Sequence, residues 1–150
     1  MDAEGIEEQV PVLVAKELVP SVLELIGGEI EALTNVFHLD YGSYHEVVQD
    51  LYQARRQLWV LVDEDFQTEA WLVTKIRSMP TGSRLVYDMV GGRDIDHMLT
   101  FLPNIEEWAK SYGVVESIAY ARPGLRKKLK DFGFRHTCDV VFKSLADNVQ

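Results

Sequence analysis

The sequence predicts an α+β domain with a mixed, mostly antiparallel sheet and flanking helices. Apolar residues recur at helical spacing through much of the first 56 positions. Three segments rich in β-branched and aromatic residues follow, separated by short turns, and the remainder alternates between strand and helix patterns. This order is typical of an α+β fold: helices come first, consecutive strands follow, and strands then alternate with helices.

The N-terminal part is expected to be mainly helical after a short edge strand at residues 10–16, VPVLVAK. From Val19 onward, steps of three and four residues predict an inner helix face formed by Val22, Leu25, Ile26, Ile30, Leu33 and Phe37. The pair Gly27-Gly28 leaves open one kinked helix or two short ones. A second helix is expected over Ser43–Arg56, with Ser43 as its N-cap.

The middle of the chain predicts three strands at Leu58–Val62, Ala70–Arg77 and Arg84–Val90. The connections DEDFQTE and SMPTGS are short, so the three strands are expected to form an antiparallel meander.

The C-terminal part alternates between helix and strand. A helix is expected over Asp96–Tyr112, with a kink or restart at Pro103. A strand over Val115–Tyr120, a helix over Pro123–Phe132 and a last strand over Thr137–Leu145 follow. Because a crossover helix normally joins parallel strands, the third meander strand and the first C-terminal strand should run parallel.

These elements predict a single domain over residues 1–150. Its helical part covers residues 1–56, and the sheet, crossover helix and final strand–helix–strand cover residues 57–145. A chain of this length can bury a substantial core.

Charge and composition argue against several classes of protein. The net charge of −9 opposes a nucleic-acid-binding surface, which requires a basic field. Residues 1–50 carry eleven Asp and Glu against the single Lys16, which suits either a basic partner or a plain solvated surface. No apolar stretch approaches the roughly 18 residues of a membrane span, so no membrane association is expected.

Cysteine and histidine usage predicts neither disulfides nor a metal site. Cys138 is alone, which excludes an intrachain disulfide, favours a reducing cytoplasm, and is interpreted as a buried, inert thiol. The four histidines show no metal-ligand spacing, so no metal ligand is assigned.

The passage YARPGLRKKLKDFGF, residues 120–134, is the most basic in the chain. One helix face carries Leu125, Leu129 and Phe132, and the other carries Arg126, Lys127, Lys128 and Lys130. The basic face is interpreted as solvated, while Arg122 or Arg126, near the helix start, could reach a phosphate.

Two stretches, YDMVGGRDIDHM and FLPNIEEWAKSYGVVESIAYARPGLRKKLKDFGF, resemble the GNAT superfamily of acyl-CoA N-acyltransferases. More narrowly, RRQLWVLVDED and IEEWAKSYG are similar to short GNAT-like proteins encoded by tailed bacteriophages. The resemblance implies a splayed sheet and transfer of an acetyl group from acetyl-CoA to an amine.

The resemblance also implies where the coenzyme would lie. The pantetheine arm would run beside the strand at Met89 and Val90. The pyrophosphate would lie over Gly91, Gly92 and Arg93, with Arg126 reaching a phosphate. Asp94 and Asp96 depart from the family's loop, because they are N-cap residues that repel phosphate.

For catalysis, Leu129 stands where many relatives of this superfamily have a tyrosine. Asp88 is therefore assigned as the base, and Tyr120 as the acid, with Tyr87 as a further candidate. The alternative is a non-catalytic virion or accessory protein of the same fold in the host cytoplasm that binds a phage or host protein. An inhibitor that occupies a basic host site with its acidic N-terminal half is a third hypothesis. The sequence leaves open whether the protein forms a homo-oligomer.

Overall fold

The structure, a computed structural model, describes residues 9–141 and 143–145, and for residues 37–41 it describes the backbone only. Its five strands form one sheet in the order β1-β2-β3-β4-β5. The strands are β1 (Val12–Leu13), β2 (Gln57–Val62), β3 (Thr68–Met79), β4 (Gly82–Gly92) and β5 (Val114–Ala119). The α-helices are α1 (Val19–Tyr41), α2 (Tyr44–Tyr52), α3 (Ile95–Leu99), α4 (Leu102–Lys110) and α5 (Pro123–Leu129).

The five strands have the topology predicted for them. β1 to β4 pair antiparallel in sequence order, and the short edge strand β1 pairs with β2. β4 and β5 run parallel, joined by α3 and α4 as a crossover connection. The α+β fold class and the mostly antiparallel sheet expected from the sequence are confirmed.

Side chains alternate between the two faces of the sheet and form a hydrophobic cluster on each. Trp59 and Leu61 point to the face covered by α3, α4 and α5, where Leu102 and Ile105 are buried against them. Leu58 and Val60 point to the face covered by α1 and α2. The result is three layers, with helices on both faces of the sheet.

α1 is one helix that continues through Gly27 and Gly28. Ile26 and Ile30 are buried as expected, but Leu25 is 77% exposed, because it lies off the stripe that faces the sheet. Phe37 lies outside the described side chains. No helix within the described residues is both long enough and apolar enough to cross a membrane. Ser43 caps α2 as expected, since its hydroxyl accepts a hydrogen bond from the Glu46 N–H at 3.1 Å.

The helix expected over Asp96–Tyr112 is divided in two. α3 ends at Leu99, and Pro103 lies in the first turn of α4, where its missing N–H costs little. The restart at Pro103 is therefore the alternative that the structure adopts.

The last predicted strand is wrong within the described residues. Residues 137–141 and 143–145 have no strand structure, and β5 is the edge of the described sheet. The alternating apolar residues there find no burial, since Val140 and Val141 are 72% and 92% exposed. Cys138 is exposed as well, which corrects its interpretation as a buried thiol.

Candidate active site

The parallel strands β4 and β5 separate partway along their length. Their pairing begins at Ser83–Val114 and ends at Tyr87–Ala119, whereas β4 continues to Gly92. Over these last residues, β3 is the only strand of the described sheet that pairs with β4. Asp88 is the extra residue of a β-bulge, because Tyr87 lies opposite Thr74 and Met89 lies opposite Val73. The bulge therefore falls where the two strands part.

A cavity of about 460 Å³ opens at this separation. Its walls come from both strands, from α1, and from the helices on the opposite face of the sheet. Most of the lining side chains are apolar. They are Leu33, Leu72, Tyr87, Asp88, Met89, Val90, Ile95, Leu99, Leu102, Ala119, Tyr120, Arg122, Gly124, Leu125, Lys128 and Leu129. Of the residues assigned from the sequence, Asp88, Met89, Val90 and Tyr120 are thus brought together.

Asp88 is buried between cations. Its side chain is 3% exposed, and its Oδ2 accepts a hydrogen bond from Arg56 Nη1 at 2.8 Å and lies 3.7 Å from Lys75 Nζ. Burial raises the pKa of Asp88, while the charges of Arg56, Lys75 and Arg77 act in the opposite direction. A strand aspartate is expected to point to solvent, but this one is held inside because Arg56 is buried with it.

The two candidate tyrosines differ in environment. The Tyr87 hydroxyl donates a hydrogen bond to Glu106 Oε2 at 3.0 Å, and burial together with the Glu106 charge raises the Tyr87 pKa well above its usual range. Tyr120 follows the end of β5 at the cavity and is 49% exposed. Tyr120 is the more accessible proton donor. Leu129, which stands where the resemblance would place a tyrosine, is buried in the cavity wall.

The glycine pair after the bulge has a packing function. A Cβ on Gly91 would collide with the Trp71 ring. Gly92 has φ +114°, and a Cβ there would lie 2.5 Å from the Ala70 Cα. The close approach of β4 to β3 therefore requires glycine at both positions, with or without a ligand.

In the loop that follows, backbone amides donate hydrogen bonds to groups of the protein itself. The N–H groups of Arg93 and Asp94 both donate to the Glu69 carbonyl, at 2.8 and 3.1 Å. The Asp94 carboxylate accepts from the His97 N–H at 3.0 Å. These amides are consequently engaged within the protein rather than directed at an anion.

The basic side chains divide into two groups. Arg93 donates to Asp63 Oδ2 at 2.5 Å, Arg126 lies 3.6 Å from Asp139, and neither of the two lines the cavity. Arg122, the N-cap residue of α5, and Lys128, in the last turn of α5, do line it. Lys128 also forms an exposed ion pair of 2.6 Å with Asp96.

One cluster has no counterpart in the sequence analysis. Glu69, Asp94 and His97 lie with one carboxylate or imidazole atom each within 4.8 Å of one another. Glu69 and His97 are 28 positions apart, so no local spacing could reveal them. The usable signal is the pairing of β3 with β4, which brings the start of β3 beside the loop after Gly92.

The comparisons with known proteins concern the fold. No family model and no curated protein sequence matches the chain. Among solved structures, the aminoglycoside 6′-N-acetyltransferase AAC(6′)-Ih from Acinetobacter baumannii superposes with a TM-score of 0.63 at 17% identity. The match covers 95% of this chain and 100% of that one.

Two further structures were determined with coenzyme ligands. A predicted acetyltransferase from Clostridium acetobutylicum with acetyl-CoA matches at TM-score 0.65 and 13% identity, over 92% of this chain and 97% of that one. AAC(6′)-Iy in complex with the bisubstrate analogue CoA-S-monomethyl-acetylneamine matches with a TM-score of 0.65 at 13% identity. The match covers 93% of this chain and 99% of that one. The chain therefore has the fold of the GNAT acetyltransferases.

Proposed function

We propose that this protein is an N-acetyltransferase that takes an acetyl group from acetyl-CoA and transfers it to an amine. The observation that carries the proposal is the separation of β4 from β5 after the Tyr87–Ala119 pair, with the mostly apolar cavity that opens there. The cavity suits an extended, weakly polar chain, and β4 has a backbone edge beside it that β5 does not use.

The residues around the cavity fit the coenzyme unevenly. Met89 and Val90 supply wall and backbone for the pantetheine arm. The amides of Arg93 and Asp94 are engaged by Glu69, so we assign the phosphates instead to Arg122 and Lys128 at the cavity's basic side. When bound there, acetyl-CoA would supply the acetyl group as an activated thioester.

Proton movements are assigned to two side chains. Tyr120 is proposed to protonate the departing thiolate, because its ring lines the cavity while half its surface remains exposed. Asp88 is proposed to accept the proton of the amine, since burial raises its pKa toward that of a useful base. Arg56 and Lys75 then fix the orientation of its carboxylate.

Calorimetric titration of the full chain with acetyl-CoA tests the binding step. We expect a dissociation constant below about 1 mM, equivalent to about 4 kcal/mol. Gly124→Leu should weaken binding, because Gly124 lines the cavity and a Cβ there meets no atom within 4 Å. Gly28→Leu is the matched control, since Gly28 also has open space around it but lies away from the cavity. A flat titration at millimolar acetyl-CoA would exclude the proposal.

Release of free coenzyme A thiol in the presence of simple amines and lysine peptides tests the chemistry. Tyr120→Phe should lower the rate by about 100-fold, the usual contribution of a general acid. Tyr112→Phe is the control, because Tyr112 is 60% exposed and lies outside the cavity. Equal rates for the two variants would exclude Tyr120 as the acid.

The alternative function is a non-catalytic accessory or virion protein of a bacteriophage that binds a phage or host protein. Its sequence support is the resemblance to short phage-encoded proteins. Its structural support is that Asp88 is held by cations and that the amides of Arg93 and Asp94 are engaged within the loop. Absence of acetyl-CoA binding in a folded protein would favour this function.

A further inference from the structure

We propose that Glu69, Asp94 and His97 form a binding site for a divalent transition-metal ion of the zinc type. The observation is that each side chain offers one ligand atom and that these atoms lie within 4.8 Å of one another. The site does not depend on the proposed acetyl transfer, and none of the three residues lines the cavity at the separation of β4 and β5.

The backbone holds the three residues in place without an ion. Ala70 pairs with Gly92, which sets Glu69 beside the loop that leaves β4. The Glu69 carbonyl accepts the N–H groups of both Arg93 and Asp94. Asp94 in turn caps α3 through the His97 N–H, so the imidazole leaves the first helical turn toward Glu69. Such preorganisation lowers the cost of collecting ligands around an ion.

The chemistry of the donors selects the class of metal. His97 Nδ1 is in direct contact with Glu69 Oε1, and the Glu69 side chain is only 13% exposed. Among the described interactions, the His97 imidazole is the only side-chain partner of this largely buried carboxylate, and buried carboxylates are usually paired or coordinate metals. An imidazole with two carboxylates suits Zn²⁺ and similar ions, whereas Ca²⁺ and Mg²⁺ require mainly oxygen ligands in larger numbers.

The helix cap and the metal site can coexist. Asp94 uses Oδ1 to accept the His97 N–H, which leaves its second carboxylate oxygen for an ion. Three protein ligands with water in the remaining position is a common arrangement for zinc. The ion would connect the start of β3 to the start of α3 and add positive charge beside Asp94 and Asp96.

Calorimetric titration of the full chain with zinc chloride tests the site. We expect one ion per chain for the unmodified protein and at least about tenfold weaker binding for His97→Ala, since even residues outside the ligand shell contribute tenfold or more. His136→Ala is the matched control, because His136 contacts the Asp139 carboxylate at 2.8 Å on an exposed surface, and among the described residues the two have no third metal-ligating group. The control should bind zinc like the unmodified protein.

Asp94→Asn keeps the test valid if other variants fold poorly. Asparagine is as good an N-cap as aspartate, so α3 should persist while the metal-binding charge is lost. Zinc should raise the melting temperature of the unmodified protein and raise it less, or not at all, in Asp94→Asn, with unchanged circular dichroism. The proposal is overturned if the unmodified protein binds no zinc, or if His97→Ala and His136→Ala bind it equally well.

Discussion

Two neighbouring regions at the end of β4 differ in how their polar groups are used. At the separation from β5, β4 has one backbone edge beside an apolar cavity, and no strand of the described sheet pairs with that edge. In the loop from Gly91 to His97, the amides of Arg93 and Asp94 and the His97 ring bond to Glu69, and the His97 amide bonds to Asp94. The resemblance would have an acyl-CoA contact both regions, yet only the first has the space and the backbone to offer such contacts.

The difference shows that strand geometry and loop chemistry can change independently within one fold. The bulge at Asp88 and the departure of β5 create the cavity whatever the loop contains. The loop instead fastens α3 to β3, with Arg93, Asp94 and His97 as its contacts. The cations that line the cavity, Arg122 and Lys128, lie instead at the two ends of α5.

The largest expected effect comes from breaking the ion pair that holds the cavity wall. Arg56→Met should lower the free energy of unfolding by about 3–5 kcal/mol, because it leaves Asp88 buried without its closest cation. Arg55→Met is the control: Arg55 pairs with Asp50 on the surface and is 60% exposed, so it should cost no more than about 1 kcal/mol. Urea unfolding of both variants measures the difference, and similar losses would contradict the inferred importance of burial.

The next effect concerns the glycine that begins the loop. Gly92→Ala combines a positive φ with contact against the Ala70 backbone, so we expect a loss of about 1–3 kcal/mol or more. Gly113→Ala shares the positive φ, at +81°, but its Cβ would meet no atom within 4 Å. Thermal unfolding should rank Gly92→Ala as clearly the more damaging change. If the two melt alike, only the backbone angle matters and the close approach of β3 and β4 does not.

A smaller effect is expected in the pH dependence of stability. Burial raises the folded-state pKa of Asp88 above its ordinary value of 3.8. The stability that its protonated form contributes is complete below that value and is lost as the pH rises through the folded-state pKa. Asparagine does not titrate, so Asp88→Asn should gain stability relative to the unmodified protein as the pH rises from 3 through this window.

Denaturant unfolding at several pH values measures that change. Asp50→Asn is the control, because the pKa of Asp50 is lowered, chiefly by its hydrogen bonds to Arg55 and Arg56, which outweigh the effect of burial. The difference in free energy of unfolding between Asp50→Asn and the unmodified protein should change with pH in the opposite direction, so that this variant loses relative stability as the pH rises. A pH-independent difference for Asp88→Asn would contradict a raised pKa.

The sequence carried most of the information about the sheet, because each strand buries alternate residues on two apolar faces and the pattern repeats. The clearest example is β2, in which Trp59 and Leu61 are buried on one face of the sheet and Leu58 and Val60 on the other. The same reasoning was wrong at the described residues 137–141 and 143–145, where apolar alternation is present but no strand of the described sheet pairs with them. A strand pattern predicts a suitable surface; it does not predict the partner.

The candidate site was less predictable. Met89 and Val90 were assigned from a resemblance, and both lie in β4 and line the cavity. The burial of Asp88 depends on Arg56, 32 positions earlier, and the Glu69–His97 contact depends on the pairing of β3 and β4. Long-range pairs of this kind leave no trace in local spacing. The resemblance placed the phosphates over Gly91, Gly92 and Arg93, but packing requirements alone explain both glycines.

The smallest effect on stability is expected from two neighbouring lysines of α5, which should nevertheless differ in their effect on coenzyme binding. Lys127→Gln and Lys128→Gln should each change the free energy of unfolding by no more than about 0.5 kcal/mol, since α5 is anchored by buried Leu129 and not by its lysines. Lys128 lines the cavity and Lys127 does not. If the phosphates of acetyl-CoA lie on this side, Lys128→Gln should weaken binding by up to about fivefold, or roughly 1 kcal/mol, while Lys127→Gln leaves it unchanged. Equal titrations for the two variants would remove Lys128 from the phosphate site and leave Arg122 as its assigned cation.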